Sequence, residues 1–149
     1  MITIREMNIN DLESVLSIEN ECFREPYKLS DLEYELNDNP VNKMLVAIDE
    51  DKVIGFIDYM ITFNSSTITQ IAVTSSYRRK GVATKLLNAM VESFPKDIED
   101  KVETITLEVR ASNLAAIKLY ESFGFEKVVI KPKYYKDLED AIYMVMRLI

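Results

Sequence analysis

The residues that could do chemistry in this chain are a cluster of cations and a few side chains able to move protons. The segment YRRKGVATK, residues 77–85, carries four basic residues and no acidic one, although the formal net charge of the chain is −7. Because the chain contains no histidine, proton transfer near neutral pH must use a perturbed carboxylate, a tyrosine, a lysine or a chain of waters. The same absence removes Ser–His nucleophiles and histidine metal sites.

The basic segment has the features of an anion site. It precedes a strongly amphipathic helix, and the first turn of a helix offers unpaired N–H groups and a dipole that favours an anion. Gly81 carries no side chain to block a phosphate, and the small residues Ala83 and Thr84 keep the same approach open. Neither G-x-x-x-x-G-K-[ST] nor G-x-G-x-x-G is present, so no nucleoside-triphosphate or Rossmann site is indicated. A solvated basic turn is the alternative interpretation.

Glu108 and Tyr120 are the candidate proton carriers. Alternation turns Thr106, Glu108 and Arg110 to one side of a strand, which also fits a solvent-facing Glu–Arg pair. Tyr120 lies on one helical stripe with Ile117, which also fits a packed core aromatic. The residues alone therefore leave both roles open.

The elements that must position these residues follow from hydrophobic periodicity. Period-two patterns predict strands at about residues 2–7, 44–48, 53–63, 66–74, 104–110, 125–131 and 141–148. Helical spacing predicts four helices, which begin near residues 10, 30, 80 and 113. The order β-α-α-β-β-β-α-β-α-β-β predicts an α/β fold with a mixed, mostly antiparallel, twisted sheet of about seven strands and helices on both faces.

Capping signals predict where three of these helices begin. Asn10 with Glu13, and Ser30 with Glu33, have the spacing of capping boxes. Asn113 can cap the last helix, which Gly124 would end. The inner stripe predicted for that helix consists of Leu114, Ile117, Tyr120 and Phe123.

Length and composition predict one globular domain, residues 1–149. Hydrophobic residues make up 48% of the chain and charged residues 29%, as in ordinary globular proteins. The single cysteine, Cys22, excludes an internal disulfide and an all-cysteine zinc site; we expect it to be a buried packing residue in a reducing compartment. No bound metal is predicted.

The start of the chain and its charge bear on location and partners. MITIREMNIN lacks an apolar run of signal-peptide length, and no later segment approaches a membrane span, so we expect a cytoplasmic protein without a membrane partner. The negative net charge argues against a direct nucleic-acid partner, because such binding depends on neutralised phosphates.

The basic segment resembles a signature of the GNAT acetyltransferase superfamily. Arg78-x-x-Gly81-x-Ala83 matches the Q/R-x-x-G-x-G/A pattern, a segment that binds the pyrophosphate of CoA through backbone amides in that superfamily. A strand with Ile71-Ala72-Val73 precedes the match, as the resemblance requires.

A second block narrows the resemblance. LEVRASNLAAIKLYESFGF, from Leu107, is similar to the N-terminal protein acetyltransferases, both those acting on ribosomal-protein alanine and their archaeal counterparts. The tail with Tyr134-Tyr135 and Glu139-Asp140-Ala141 is similar to the same group. The resemblance covers essentially the whole chain and is looser over residues 17–69.

The resemblance implies a GNAT fold and transfer of acetyl from acetyl-CoA, as co-substrate, to a protein α-amino group. It implies Glu108 as the general base and Tyr120 as the acid that protonates the departing thiolate. The residues that it places on CoA are Ile71, Ala72, Val73, Arg78, Arg79, Lys80, Gly81, Val82, Ala83, Thr84 and Asn113. Those that it places on the acceptor peptide are Glu25, Pro26, Tyr27, Tyr134 and Tyr135.

Three other functions stay open at this point. An enzyme of the same fold could acetylate lysine side chains or small amines, and a non-catalytic module could bind acyl-CoA or another subunit. Acetylation of aminoacyl-tRNA is disfavoured by the net charge of −7. The acceptor's first residue, and a ribosome or an auxiliary subunit as a further partner, are also open.

Overall fold

The predicted element order is found in the computed structural model, which describes residues 1–148. The strands are β1 Ile2–Glu6, β2 Asn42–Asp49, β3 Lys52–Thr62, β4 Ser65–Val73, β5 Thr104–Arg110, β6 Glu126–Lys131 and β7 Ala141–Arg147. The helices are α1 Leu12–Cys22, α2 Leu29–Asn37, α3 Val82–Glu92 and α4 Leu114–Phe123. Short 3-10 turns at Ile9–Asp11 and Ser75–Tyr77 precede α1 and α3.

The strands form a seven-stranded sheet in the order β1-β2-β3-β4-β5-β7-β6. β2 pairs antiparallel with β1 and β3, and β7 pairs antiparallel with β5 and β6, whereas β4 runs parallel to β5. Glu50 and Asp51 have φ values of 49° and 65°, which is the conformation of a tight turn between hairpin strands. The predicted α/β fold with a mixed, mostly antiparallel sheet is confirmed.

The chain divides into two compact units. The first contains Met1–Met60 and Gln70–Phe94, and the second contains Ile61–Thr69 and the described chain from Pro95 onward. The single domain expected from length stays a prediction.

In the core of the first unit, α1 and α2 pack against residues of β2, β3 and β4. Its buried residues are Met7, Leu12, Val15, Ile18, Leu32, Met44, Val46, Phe56 and Ala72. In α3 the buried side chains are Val82, Leu86, Leu87 and Met90. At the other end of that helix the Tyr59 hydroxyl lies 2.6 Å from the Ser93 hydroxyl, and the Tyr59 ring meets Phe94 edge-on. The C-terminal end of α3 is therefore fixed within the first unit.

Two predicted capping boxes form at other residues. The Asn10 N–H donates to Asn8 Oδ1, and the Asn8 N–H donates to Asp11 Oδ2, each at 2.9 Å. Arg5 holds the same Asp11 carboxylate at 2.7 and 3.0 Å, so the box closes around Asn8 and Asp11, and the predicted Asn10–Glu13 box is wrong.

The start of α2 requires the same kind of correction. The Lys28 N–H donates to Asp31 Oδ2 at 2.8 Å, and the helix begins at Leu29. The prediction that Ser30 and Glu33 form the box is wrong, because Ser30 already lies inside the helix, where its N–H is not at the cap position.

The second unit confirms the alternation of β5. Ile105, Leu107 and Val109 are buried on one face of the strand, and the residues between them are half-buried on the other. The predicted cap of α4 is also confirmed, because Asn113 Oδ1 accepts from the Ala116 N–H at 3.2 Å. Leu114, expected on the inner stripe, is 66% exposed. It is the first helical residue, and helical side chains lean toward the N-terminus, so it extends past the end of the helix.

Candidate functional site

The basic turn lies in the first unit, between the 3-10 turn Ser75–Tyr77 and α3. Gly81 has φ 76° and ψ 13°, and Arg79 has φ 64°, so both residues adopt the left-handed conformation. The helix was expected from about Lys80 and begins at Val82, because a residue with positive φ cannot belong to a right-handed helix. This sharp turn separates the end of β4 from the start of α3.

The first N–H groups of α3 lie where the sequence predicts the cradle. The first intrahelical bond runs from the Lys85 N–H to the Gly81 carbonyl at 3.1 Å, and no side chain caps the helix. Within residues 1–148, no acceptor is seen for the N–H groups of Val82, Ala83 and Thr84. A Cβ built on Gly81 would meet no atom within 4 Å, so the space at this residue is open. Three unpaired donors at a helix start suit a phosphate group.

The side chain of Arg78 shapes the turn. Its Nε donates to the Val73 carbonyl at 3.2 Å, and a terminal guanidinium nitrogen lies 3.4 Å from Cys22 Sγ. Arg78 thus ties the turn to the last residue of the predicted segment Ile71-Ala72-Val73. Cys22, expected to be buried, is half-buried, and burial raises the pKa of its thiol.

Gly55 of β3 allows a close approach to the end of β4. A Cβ at this position would lie 2.9 Å from the Ala72 carbonyl oxygen, a distance that side-chain carbons do not adopt. Thr74, the residue after β4, donates its N–H to the Ile54 carbonyl at 2.9 Å. In the second unit, the parallel ladder of β4 with β5 runs from Ser65–Thr104 to Ile68–Leu107.

Glu21 of α1 is a residue of this region that the sequence reasoning missed. Its carboxylate accepts from the Thr74 hydroxyl at 2.7 Å and from the Ser75 N–H at 2.8 Å. The hydrogen bond from Thr74, followed by that from Ser75, lowers the pKa of this carboxyl. Because Glu21 lies 53 residues from Thr74 along the chain, no local pattern in the sequence could reveal the contact.

Replacing Gly81 with alanine is expected to weaken acetyl-CoA binding about tenfold. The left-handed conformation costs a residue with a Cβ about 1–2 kcal/mol, so the turn would shift and misalign the N–H groups of Val82, Ala83 and Thr84. Calorimetric titration with acetyl-CoA measures the change. Asn88→Ala, an exposed position on α3, is the control. An unchanged dissociation constant for Gly81→Ala would remove this turn from CoA binding.

Glu25, Pro26 and Tyr27 also belong to the first unit, in the loop between α1 and α2. Glu25 is exposed, and Pro26 and Tyr27 are half-buried. Burial, followed by the negative charge of Asp58, raises the pKa of the Tyr27 phenol to about 12. Tyr27 is therefore neutral at physiological pH.

The fully buried Glu19 anchors this loop. Its Oε1 accepts from the Tyr27 N–H and from Gln70 Nε2, each at 3.0 Å. Its Oε2 and the Gln70 Oε1 are buried with no hydrogen-bond partner among the described residues. Burial raises the pKa of Glu19, so the folded protein holds a proton there more tightly than the unfolded chain does.

Glu19→Gln is expected to stabilise the protein by about 1–2 kcal/mol at pH 7, because it replaces a buried, unpaired charged oxygen by a neutral group. Since the pKa is raised in the folded state, the wild type loses stability as pH rises from about 4.3 through the raised value. The gain should therefore shrink toward pH 4. Urea unfolding across this range measures it, with exposed Glu13→Gln as control. A pH-independent difference would contradict the assigned cause.

In the second unit, Glu108 of β5 lies in an ion pair that the sequence did not reveal. Lys131 Nζ donates to Glu108 Oε2 at 2.7 Å, and the side chains are 20% exposed for Glu108 and 39% for Lys131. The same ammonium lies 4.7 Å from the ring centre of Tyr143 and 5.5 Å from that of Tyr134. The contact with Glu108 raises the pKa of Lys131. Glu108, the predicted base, thus contacts a primary ammonium that also lies near two aromatic rings.

Arg110 fixes the hairpin loop that carries the two predicted substrate tyrosines. Its Nη1 donates to both oxygens of Asp137 at 3.0 and 2.9 Å and to Glu139 at 3.0 Å. The guanidinium carbon also lies 4.1 Å from the ring centre of Tyr135, which meets the Tyr134 ring edge-on. Burial raises the pKa of Tyr135 to about 12. Glu108, Tyr134 and Tyr135 are therefore brought together around one end of β5.

Tyr120 of α4 is buried, with 7% of its surface exposed. Its ring meets Phe125 edge-on at 5.7 Å, and its hydroxyl donates to no residue in the described part of the chain. Burial, with a smaller contribution from Tyr135, holds the pKa of this phenol far above its usual value. The hydroxyl therefore keeps its proton at physiological pH.

Comparison with known proteins decides the family. The sequence profile of the Acetyltransferase (GNAT) family matches residues 12–125. The chain belongs to the GNAT acetyltransferase family. The predicted enzyme class, an acetyl-CoA-dependent N-acetyltransferase, is confirmed.

Relatives of this GNAT acetyltransferase extend over nearly its whole length. An N-alpha-acetyltransferase of Saccharolobus solfataricus is 36% identical over 95% of this chain and 90% of its own. The crystal structure of the ribosomal-protein-S18-alanine N-acetyltransferase from Escherichia coli matches with a TM-score of 0.88 and 31% identity, over 99% of this chain and 94% of that one. A structure of the NatC complex bound to Gag peptide and CoA matches with a TM-score of 0.82 and 26% identity, over 99% of both chains.

Two further features of the acetyltransferase concern metals and membranes. Residues 1–148 contain no group of three or more His, Cys, Asp or Glu side chains placed to hold a metal ion. None of the helices over the same residues is long and apolar enough to cross a membrane.

Proposed function

We propose that this GNAT acetyltransferase transfers the acetyl group of acetyl-CoA to the N-terminal α-amino group of a protein. The observation that carries the proposal is the ammonium-binding arrangement at Glu108. There the ammonium of Lys131 contacts the Glu108 carboxylate and lies near the rings of Tyr134 and Tyr143. An amine acceptor must reach the reaction as an ammonium and give up one proton before it can attack a thioester. The names of the relatives from Saccharolobus solfataricus and Escherichia coli support a protein N-terminus as that acceptor.

In the proposed reaction Glu108 takes a proton from the acceptor ammonium, directly or through one water. An α-amino group, with a pKa of about 8, needs less help than a lysine at about 10.4, so a carboxylate suffices in a chain without histidine. The amine nitrogen then attacks the thioester carbonyl carbon, which forms the N–C bond of a tetrahedral intermediate. We assign stabilisation of its oxyanion to backbone N–H groups of the segment Ile71-Ala72-Val73.

The second half of the reaction breaks the C–S bond. Tyr120, which is protonated at physiological pH, donates its hydroxyl proton to the departing CoA thiolate. The nitrogen loses its second proton to solvent as the intermediate collapses to the amide. The proton taken up by Glu108 also passes to solvent, and Tyr120 recovers its own from solvent, so the products are the N-acetylated chain and CoA thiol.

The remaining site residues are proposed in binding roles. The turn Arg78, Arg79, Lys80 and Gly81, with the N–H groups of Val82, Ala83 and Thr84, binds the pyrophosphate, and Ile71, Ala72 and Val73 pair with the pantetheine arm. Asn113, which caps α4, also contacts CoA. Glu25, Pro26, Tyr27, Tyr134 and Tyr135 hold the first residues of the acceptor. A cytoplasmic location, with the ribosome or an auxiliary subunit as a further partner, completes the proposal.

One observation favours a second candidate acceptor. The ammonium that donates to Glu108 belongs to the side chain of Lys131, so the ammonium of a substrate lysine also fits beside this carboxylate. Thiol release from acetyl-CoA separates the candidates when three acceptors are compared: a lysine-free peptide with a free N-terminus, an α-blocked peptide with lysine, and spermidine. The proposal predicts release with the first acceptor. Release confined to either of the others would replace it.

A further inference from the structure

The surroundings of the Lys131 ammonium have the composition of an ammonium-recognition site. Glu108 Oε2 lies 2.7 Å from Nζ, and the ring centres of Tyr143 and Tyr134 lie 4.7 and 5.5 Å away. A carboxylate supplies a charge-assisted hydrogen bond, and the faces of aromatic rings attract a cation. We call Glu108, Tyr134 and Tyr143 the ammonium cage.

The sheet register builds two walls of the cage and brings Lys131 to it. Tyr143 of β7 is the direct partner of Glu108 of β5, and Val129 of β6 is the partner of Tyr143. Because side chains alternate along a strand, Lys131, two residues beyond Val129, lies on the same face. The strands position Glu108 and Tyr143, and the hairpin loop that Arg110 fixes carries Tyr134.

The occupant of the cage is held loosely. The Lys131 side chain is 39% exposed, and a lysine ammonium stands on a flexible four-carbon stem. Ion pairs with this much exposure contribute little net stability, since water competes for both partners. An incoming ammonium can therefore take the cage while the Lys131 ammonium moves into solvent.

We propose that the Lys131 ammonium competes with the acceptor ammonium for the cage. Lys131 occupies the cage on Glu108 in the resting enzyme and leaves it when the acceptor binds. This inference rests on the proposed function, in which Glu108 receives the acceptor. It assigns the cage to an unblocked primary ammonium as ligand. The acetylated product is a neutral amide that the cage does not attract, so Lys131 returns to Glu108 and favours product release.

The test compares Lys131→Met with the wild type in binding and in kinetics. The methionine keeps an apolar side chain of similar length and removes the charge. The acceptor ammonium then no longer competes with a lysine ammonium for the cage. We expect the dissociation constant of a lysine-free peptide with a free N-terminal alanine, titrated in the presence of CoA, to fall about three- to tenfold. The acceptor KM should fall by a similar factor with an unchanged KM for acetyl-CoA, and ethylammonium should become a stronger competitive inhibitor.

Two variants serve as controls. Lys127→Met removes an exposed lysine from the same strand and should leave acceptor binding unchanged. Lys131→Arg keeps the charge and should bind the acceptor at least as weakly as the wild type does. An unchanged or raised acceptor dissociation constant for Lys131→Met would overturn the proposal and make Lys131 a support for Glu108. The titration needs no turnover, so it is independent of whether Glu108 proves to be the base.

Discussion

Replacing Glu108 with glutamine is expected to lower kcat at pH 7 by about 10²- to 10⁴-fold, the contribution typical of a positioned general base. Glutamine keeps the shape of the side chain but cannot take the proton that an acceptor ammonium must lose. The loss should become smaller as pH rises toward the pKa of the acceptor amine, about 8, because solvent then supplies the neutral amine.

Steady-state kinetics from pH 6 to 9 with a free N-terminal peptide measure this effect. Acetyl-CoA binding should stay near the wild-type value, since the proposed cradle, from Arg78 to Thr84, is unchanged. Glu126→Gln, an exposed glutamate on β6, is the matched control and should retain full activity. Wild-type turnover of Glu108→Gln across the whole range would remove Glu108 from the base role.

Replacing Tyr120 with phenylalanine is expected to reduce kcat about 10²-fold with little change in the KM of the acceptor. The substitution removes one oxygen and keeps the ring, so the edge-on contact with Phe125 survives. The departing thiolate would then lack its proton donor. Because burial holds the pKa of Tyr120 far above its usual value, this donor stays protonated, and the basic limb of the rate profile should not belong to it.

Two measurements decide between catalysis and packing for Tyr120. Thermal unfolding should place Tyr120→Phe close to the wild type, while the rate with a saturating acceptor falls. Tyr34→Phe, on the exposed surface of α2, should change neither quantity. Wild-type kinetics with Tyr120→Phe would reduce Tyr120 to a core aromatic.

The features that could be predicted from sequence are those that local rules decide. The alternation of β5 placed Glu108 on the half-buried face, and Asn113 and Gly124 end α4 as caps do. The anion site stays a prediction, and it rests on a local pattern because Gly81 and the helix after it lie together in the chain. The roles of Glu108 and Tyr120 came from family resemblance, because alternation and helical spacing fit a surface pair and a core aromatic equally well.

The features that could not be predicted depend on partners far apart in sequence. Lys131 reaches Glu108 across 23 residues, and Glu19 reaches Gln70 across 51. No local pattern in the sequence predicts such contacts, because strand register and packing determine them. The misplaced cap at Asn10 has a related cause, since Arg5 of β1 holds Asp11 and favours the box with Asn8. In each case tertiary contacts decide between local alternatives.

The central claim is that the acceptor is a protein α-amino group. Its most direct test is a single peptide that carries one free N-terminal amine and one internal lysine, incubated with enzyme and acetyl-CoA at pH 7. Fragment-ion mass spectrometry then locates the added acetyl group. The proposal predicts acetyl on the N-terminal residue, in amounts that Glu108→Gln reduces. Acetyl on the lysine, with the N-terminus left free, would contradict it.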